Sequence, residues 1–330
     1  MKPRRAIKKL VFGDTLLPQE FTIGLEEPQT EIAVWLHGMD ASMDVTYRYA
    51  PACSKPFVIC VALDEAPTAK YLKGLSLQFR ERGGAERVLG EIGLKLSNTA
   101  SAAGPGLFLF EPRSSRNYCL PKRYLCAHYL LDAYTHWRSK SEIKMSILER
   151  WAAIVTFIRP HPVALVSLAG EDGGNIFPMN LMGTFGNGRF GFALRESRQS
   201  SRLVEEAGRI AVSSVPVSQA QVAYHLAGNH TKRSIVWDQV PFATKMSATF
   251  GIPVPVFALR VREMKVEKVH KLGSHRFFVA RIICDETYAR SPGLNVIHGF
   301  YQAWRLNGHS ARLKASIAED WFNKRKLSRL

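Results

Sequence analysis

The sequence lacks most of the markers by which enzyme classes are read from a chain. No Gly-x-Gly-x-x-Gly follows a strand-like run, so a Rossmann dinucleotide site is not expected. There is no phosphate-loop motif and no obvious catalytic triad. Cysteine is sparse: Cys53, Cys60, Cys119, Cys126 and Cys284. Their number is odd and neither close pair has Cys-x-x-Cys spacing, which argues against a disulfide framework and against a zinc site. Buried reduced thiols are expected, as in a reducing cytoplasm, and no metal is expected. No apolar run approaches the roughly 20 residues that span a bilayer. The basic start "MKPRRAIKKL" leads into no uninterrupted apolar stretch before Gly13 and Asp14, so neither membrane insertion nor a secretory leader is expected. The expected location is the cytoplasm.

What is present is a chain of 330 residues, 46% hydrophobic and 22% charged, with a formal charge of +17. That composition is the composition of a folded protein, and the length suggests two domains or one with a large extension. The charge suggests a polyanion partner until its placement is considered. Residues 1–10 and 311–330 supply +9 of the +17. Basic tails of this kind attract polyanions without saying much about the folded core, so nucleic acid is not the expected partner.

The order of elements falls into three parts: 1–150, 151–310 and a basic tail, 311–330. In the first, "EIAVWL" and "PFVICVAL" read as strands, "LFLFE" as a short strand, and "TAKYLKGLSLQFRERGGAERVLGEIG" (68–93) as a helix broken at Gly83-Gly84. The spacing of large apolar residues predicts a helix from Lys122 to Trp137, and Ser139 with Glu142 has the form of a capping box opening another. The second part alternates short strands and turns: "PVALVSLAG", "FPMNLMGTF", "RFGFALR", "RIAVSSVPV", then a hairpin about Leu272-Gly273-Ser274. It contains one plain helix, "SSRLVEEAG", with Gly208 placed as a C-cap, and a half-helix, "SQAQVAYHLAG". The expected fold is mainly β with flanking helices (α+β), its C-terminal half a closed barrel.

From about Arg159 to Trp304 the order of features resembles the flavin reductase-like family, split β-barrels that bind FMN. Four stretches carry the resemblance. "RPHPVALVSLAGEDGGNIFPMNLMGTF" has the apolar strand, the turn Glu171-Asp172-Gly173, then Asn175 and Pro178 ahead of a polar-aliphatic segment. "FALRESRQSSRLVEEAGRIAVSSVP" has the strand, the polar turn and the short helix closed by glycine. "YHLAGNHTKRSIVWDQVPF" and "GSHRFFVARIICDE" follow in the family's order. Where the family often has a Ser/Asp-Pro-Pro corner, this chain has "GNGR", Gly186 to Arg189.

The resemblance implies an FMN site (FAD being the alternative flavin) with NAD(P)H as reductant and a small-molecule substrate or electron acceptor as partner. It implies a phosphate held by Arg195, Ser197, Arg198, Gln199 and Ser200 ahead of a helix N-terminus, which suits an anion. The alternative is a solvated turn in which Ser200 or Ser201 merely caps the helix. A flat ring would lie on Pro178, Met179, Asn180, Leu181, Met182 and Gly183, which offer backbone donors, an amide and soft sulfur. Alternatively, the methionines are core, and Gly183 and Gly186 mark bulges rather than a close ligand. His230 and Lys232 could reach phosphate or ring edge, or be solvated; His161 reads as structural. No catalytic side chain stands out, as expected where a cofactor performs the chemistry.

Residues 1–150 are expected to be an α/β extension or a degenerate barrel-like domain, with Lys55-Pro56 at a strand corner. Either a homodimer or an internal pseudo-dimer would follow from the family's habit of dimerising around its flavin. The leading expectation is a flavin reductase-type oxidoreductase. The alternatives are a non-catalytic split barrel that binds or scaffolds, and a polyanion-binding protein.

Overall fold

The computed structural model describes residues 20–67, 71, 73–83, 85–98, 100–138, 143–170, 173–306 and 318–319. The basic residues 1–10 and nearly all of 311–330 lie outside these, as do Ser139, Glu142, Glu171 and Asp172.

The first half begins with β1 (Glu20–Leu25) and continues through β2 (Ile32–His37), β3 (Met43–Asp44), β4 (Tyr49–Ser54), β5 (Phe57–Ala62), β6 (Ser76–Glu81), β7 (Val88–Leu96), β8 (Ala102–Gly104) and β9 (Leu107–Asn117). Two helices follow, α1 (Lys122–Arg138) and α2 (Ile147–Thr156). The second half runs through β10 (His161–Pro162), β11 (Ala164–Leu168), β12 (Asn175–Met179), β13 (Met182–Gly186), β14 (Arg189–Arg195), α3 (Gln199–Ala207), β15 (Arg209–Ser214) and α4 (Ala220–His225). A small ribbon, β16 (Thr244–Met246) and β17 (Pro253–Pro255), precedes the long hairpin β18 (Arg260–Lys271) and β19 (His275–Thr287), then β20 (Gly293–His298) and α5 (Gly299–Leu306).

One segment departs from its sequence reading. The helix expected over 68–93 is instead the pair β6 and β7. Burial along "SLQFRE" alternates, with Leu77, Phe79 and Glu81 turned inward, so the period is two and not 3.6. The capping box read at Ser139 and Glu142 falls outside the described residues; a second one opens α2, where the Ser146 hydroxyl accepts from the Glu149 N–H at 3.3 Å and the Glu149 carboxylate accepts from the Ser146 N–H. Cys53, Cys60 and Cys119 are buried free thiols as expected, whereas Cys126 is exposed and Cys284 half-buried.

The principal sheets of the two halves have one topology. The first runs β3-β2-β6-β7-β9-β5-β4, with β8 beside β9. The second runs β12-β11-β15-β18-β19-β14-β13. Counting the main strands of each half in chain order, both read second, first, fifth, sixth, seventh, fourth, third, and all the pairings are antiparallel. The sheet of the N-terminal half therefore has the same strand order as that of the C-terminal half, with α1 and α2 following it in the chain.

Each sheet encloses its own core, and the third, fourth and seventh strands of each half meet in a third core between them. On β5, Phe57, Ile59 and Val61 face the first core while Val58, Cys60 and Ala62 face the other half. On β14, Phe190, Phe192 and Leu194 fill the second core while Ala193 turns to the interface with Phe185, Phe277 and Val279. That is why "FVICVA" and "RFGFALR" are nearly continuous apolar runs: a strand buried on both faces has no reason to alternate. A separate sheet ties the halves together, in which β20 pairs with β1 on one side and with β10 on the other.

Candidate functional site

The site is built on the segment "NIFPMNLMGTF". Asn175 is fully buried; its amide donates to the carbonyls of Asn229 (3.1 Å) and Lys232 (2.9 Å). Asn229 returns a bond to the Ile176 carbonyl at 2.9 Å. These bonds hold β12 against the turn at 226–231 and leave its far end, Pro178 to Leu181, as the wall of a cleft of about 590 Å³. His230 fixes that wall. Its Nε2–H donates to the Pro178 carbonyl at 2.9 Å, so Nδ1 accepts from the Ser200 hydroxyl at 2.8 Å. Burial, and then the charges of Arg198 and Arg195, lower its pKa and keep the ring neutral. One imidazole thus ties the wall of the cleft to the first turn of α3.

The end of β14 and the start of α3 form the charged end of the same cleft, lined by Arg195 and Arg198. Arg198 is the N-cap and provides no side-chain cap to α3, which has no acid in its first turn. The neighbouring acid, Glu196, is taken up by Arg276, which also pairs with Glu205 and holds the Glu196 carboxyl below the usual range. An uncapped helix start beside two arginines favours an anion. At the other end of α3, Gly208 closes the helix at φ 63°.

The remaining walls come from elsewhere. The corner between β4 and β5 supplies Ser54 and Phe57; α2 and its approach supply Met145, Ala153 and Phe157; the β18–β19 turn supplies His275. The corner and the turn are bonded together. Ser274 donates its N–H to the Lys55 carbonyl at 2.8 Å and accepts the Lys55 N–H at 2.9 Å. Gly273, at φ +96°, allows this approach: an added Cβ would lie 2.5 Å from the Lys55 oxygen.

Of the residues singled out from sequence, Pro178, Met179, Asn180, Leu181, Arg195, Arg198 and His230 line this cleft together. Ser197, Gln199 and Ser200 are in the adjoining turn and first helical turn, and Ser200 is occupied with His230 rather than capping the helix. Lys232 is exposed and borders a different hollow. Met182 and Gly183 border a second cavity of about 260 Å³ with Tyr47, Arg159, Arg260 and Arg262. Met182 packs into the second core. Gly183 gives room to the backbone of β4: an added Cβ would lie 2.2 Å from the Tyr49 carbonyl oxygen. Gly186 sits at an irregularity of the β13–β14 ladder, and "GNGR" is its turn, with Gly186, Asn187 and Gly188 all at positive φ. Ser54, Phe57 and Phe157 carried no signal in sequence, because they reach the cleft only through the docking of the two halves. His275 lies in the "GSH" stretch of the resemblance, and its position was the only available clue.

His161 is fully buried, with Nε2 3.2 Å from the Thr156 carbonyl, a structural placement. Burial lowers its pKa and that of His298 from 6.5 to about 3, and that of His275 to about 4. The unfolded chain binds these protons first. Their contribution to stability is therefore complete above pH 6.5 and declines as the pH falls through 6.5 toward 4 and 3. A lower urea midpoint at about pH 5.5 than at about pH 7.5 is expected; equal midpoints would show that the rings are not held neutral in the fold.

The curled sheet of the second half has the strand order of a split barrel, and its cleft has the segment Pro178 to Leu181 at one end and Arg195 and Arg198 at the other. Residues 158–301 match the family described as "Flavin reductase like domain", and that segment is such a domain. Among solved structures, the chain is similar to an FMN-binding protein from Thermus thermophilus with bound 1-cyclohex-2-enone (25% identity over 39% of this chain and 71% of that one, TM-score 0.35). It is also similar to BorF, the flavin reductase component of a bacterial two-component tryptophan halogenase (20%, 46% and 94%, TM-score 0.40). A third is the styrene monooxygenase flavin reductase of Pseudomonas putida S12 (21%, 42% and 87%, TM-score 0.35). No curated protein sequence matches the chain. Among the described residues, no helix is long and apolar enough to cross a membrane.

Proposed function

We propose that the chain is a flavin-binding oxidoreductase of the flavin reductase type, with FMN as the flavin of first choice. The observation that carries this reading is the cleft itself: within the segment that matches the flavin reductase-like domain, one wall is a neutral backbone edge and the far end is doubly cationic. The residues fit the group. Arg195, Arg198 and the start of α3 suit a phosphate monoester. Asn180 and the main chain beside it suit the hydrogen-bonding edge of the ring, and Met179 and Phe57 its apolar face.

A flavin, when bound, supplies hydride and single-electron transfer, here between a nicotinamide nucleotide and an acceptor small molecule. The protein's share is to bind, orient and exclude water. His230, neutral and doubly bonded, holds the ring wall and the phosphate turn at a set spacing. Phe57 and Phe157, brought from outside the matched barrel's core strands, close the apolar side against solvent.

The purified chain, incubated with FMN or FAD and passed through a desalting column, is expected to retain the visible absorption of an oxidised flavin. Failure to retain either would overturn the reading. Retention without any oxidation of NADH or NADPH would leave a flavin-binding protein and remove the reductase.

A further inference from the structure

The chain holds two sheets of one topology but, among the described residues, one cleft with the chemistry proposed for a flavin, and we infer that it acts as its own dimer, a monomer that carries a single flavin. The inference rests on the flavin reading above and concerns what the other half of the molecule does to it.

The two halves share one register of backbone pairing at their third and fourth strands. The Ala193 N–H bonds to the Leu181 carbonyl at 2.9 Å, and the Ala62 N–H bonds to the Arg48 carbonyl at 2.7 Å. Met182 pairs with Phe192 as Tyr49 pairs with Val61. Ala193 and Ala62 both face the interface, and Leu194 and Leu63 both face their own cores. This register sets "ALRESR" (193–198) on "ALDEAP" (62–67). The same three strands of each half build the interface. The shared register defines a second position that corresponds to the cleft, at which the corner at Gly186 to Arg189 takes the place of the corner at Ser54 to Phe57.

That second location has the wrong chemistry for a phosphate. Carried on along the chain, the register sets Asp64 against Arg195 and Pro67 against Arg198. Pro67 also has no N–H to offer an anion. The position of Leu181 is Arg48, whose guanidinium is committed to Asp64 through bonds of 2.5 and 3.1 Å. The pairing holds the Asp64 carboxyl below its usual range, so it stays anionic. The equivalent of Asn180 is Tyr47, which accepts the Thr184 hydroxyl through its carbonyl at 3.0 Å and donates its phenol to Gln29 at 2.9 Å. The first half has thus exchanged ligand binding for support: it supplies Ser54 and Phe57 to the cleft of the other half and receives no ligand of its own.

The test is native mass spectrometry of the full chain with excess FMN, paired with the absorbance ratio of bound flavin to protein. One FMN on a single 37.0 kDa chain is expected. Two FMN per chain, or flavin retained only by assemblies of two chains, would overturn the inference. No retained flavin would instead overturn the reading on which it rests, so the two failures are distinguishable. In the double variant Arg195→Asp and Arg198→Asp, bound flavin is expected to fall to zero while the mass of the folded chain stays that of a monomer. One FMN still bound with wild-type tightness would place a site elsewhere and overturn the single-site assignment.

Discussion

Alanine at both Arg195 and Arg198 is expected to weaken FMN binding by about a hundredfold or more while leaving riboflavin binding nearly unchanged. A hydrogen bond to a charged group contributes about 1.5–3 kcal/mol, and each tenfold in affinity is about 1.4 kcal/mol, so losing two such contacts exceeds two decades. Riboflavin has the ring but no phosphate, so under the proposed function its binding is expected to read the wall at Pro178 to Leu181 alone. Fluorescence titration of both ligands against the wild-type and double-variant chains measures the difference. An equal loss for both ligands would place the arginines at the ring, and no loss for either would remove them from the site. The uncapped start of α3 remains in the variant, so some preference for FMN over riboflavin should persist.

The second large effect concerns the docking of the halves. Gly183→Val is expected to destabilise the chain by about 3 kcal/mol or more, since overpacking a filled interface costs roughly 1–3 kcal/mol even where side chains can yield. Here the obstacle is backbone. The added Cβ would lie 2.2 Å from the Tyr49 carbonyl oxygen and 3.0 Å from the Ala50 Cβ. Gly170→Ala is the control, because nothing lies within 4 Å of an added Cβ there. Urea denaturation of the two variants should separate them clearly. Equal midpoints would mean that β13 and β4 do not pack against each other in solution. Because the cleft takes Phe57 and Ser54 from the first half, the Gly183 variant should also lose flavin, whereas a surface change on either half should not.

Much of the second half is legible in the residues themselves. The turn Leu272-Gly273-Ser274 sets the β18–β19 hairpin, and Gly208 ends α3 where a left-handed residue is needed. The cationic turn at 195–200 and the neutral segment at 178–181 were visible as two chemistries in succession. What was hidden is that Met182 and Gly183, next in the chain, turn away from the cleft. A strand reverses its faces at every residue, and no local pattern says which face meets a ligand when both are buried. Residues 76–96 misled for a related reason. Their charges and apolar residues fit a helix about as well as a strand, and only pairing with β2 and β9 decides between them.

By itself the sequence determined the elements whose signals are complete within about ten residues: hairpin turns, caps, alternating runs and the placement of charge. Tertiary structure alone decided that residues 32–117 repeat the strand order of residues 164–287. It alone decided that Ser54 and Phe57 line one cleft with Asn180, and that Ala62 holds the register position of Ala193. The physical reason is the range of the interactions. Strand order and the docking of two cores join residues more than a hundred positions apart, through buried area summed over many side chains. The two halves share that summed pattern while sharing few individual residues. The duplication therefore shows in the register of backbone hydrogen bonds, and in the sequence only as the faint echo of "ALDEAP" in "ALRESR".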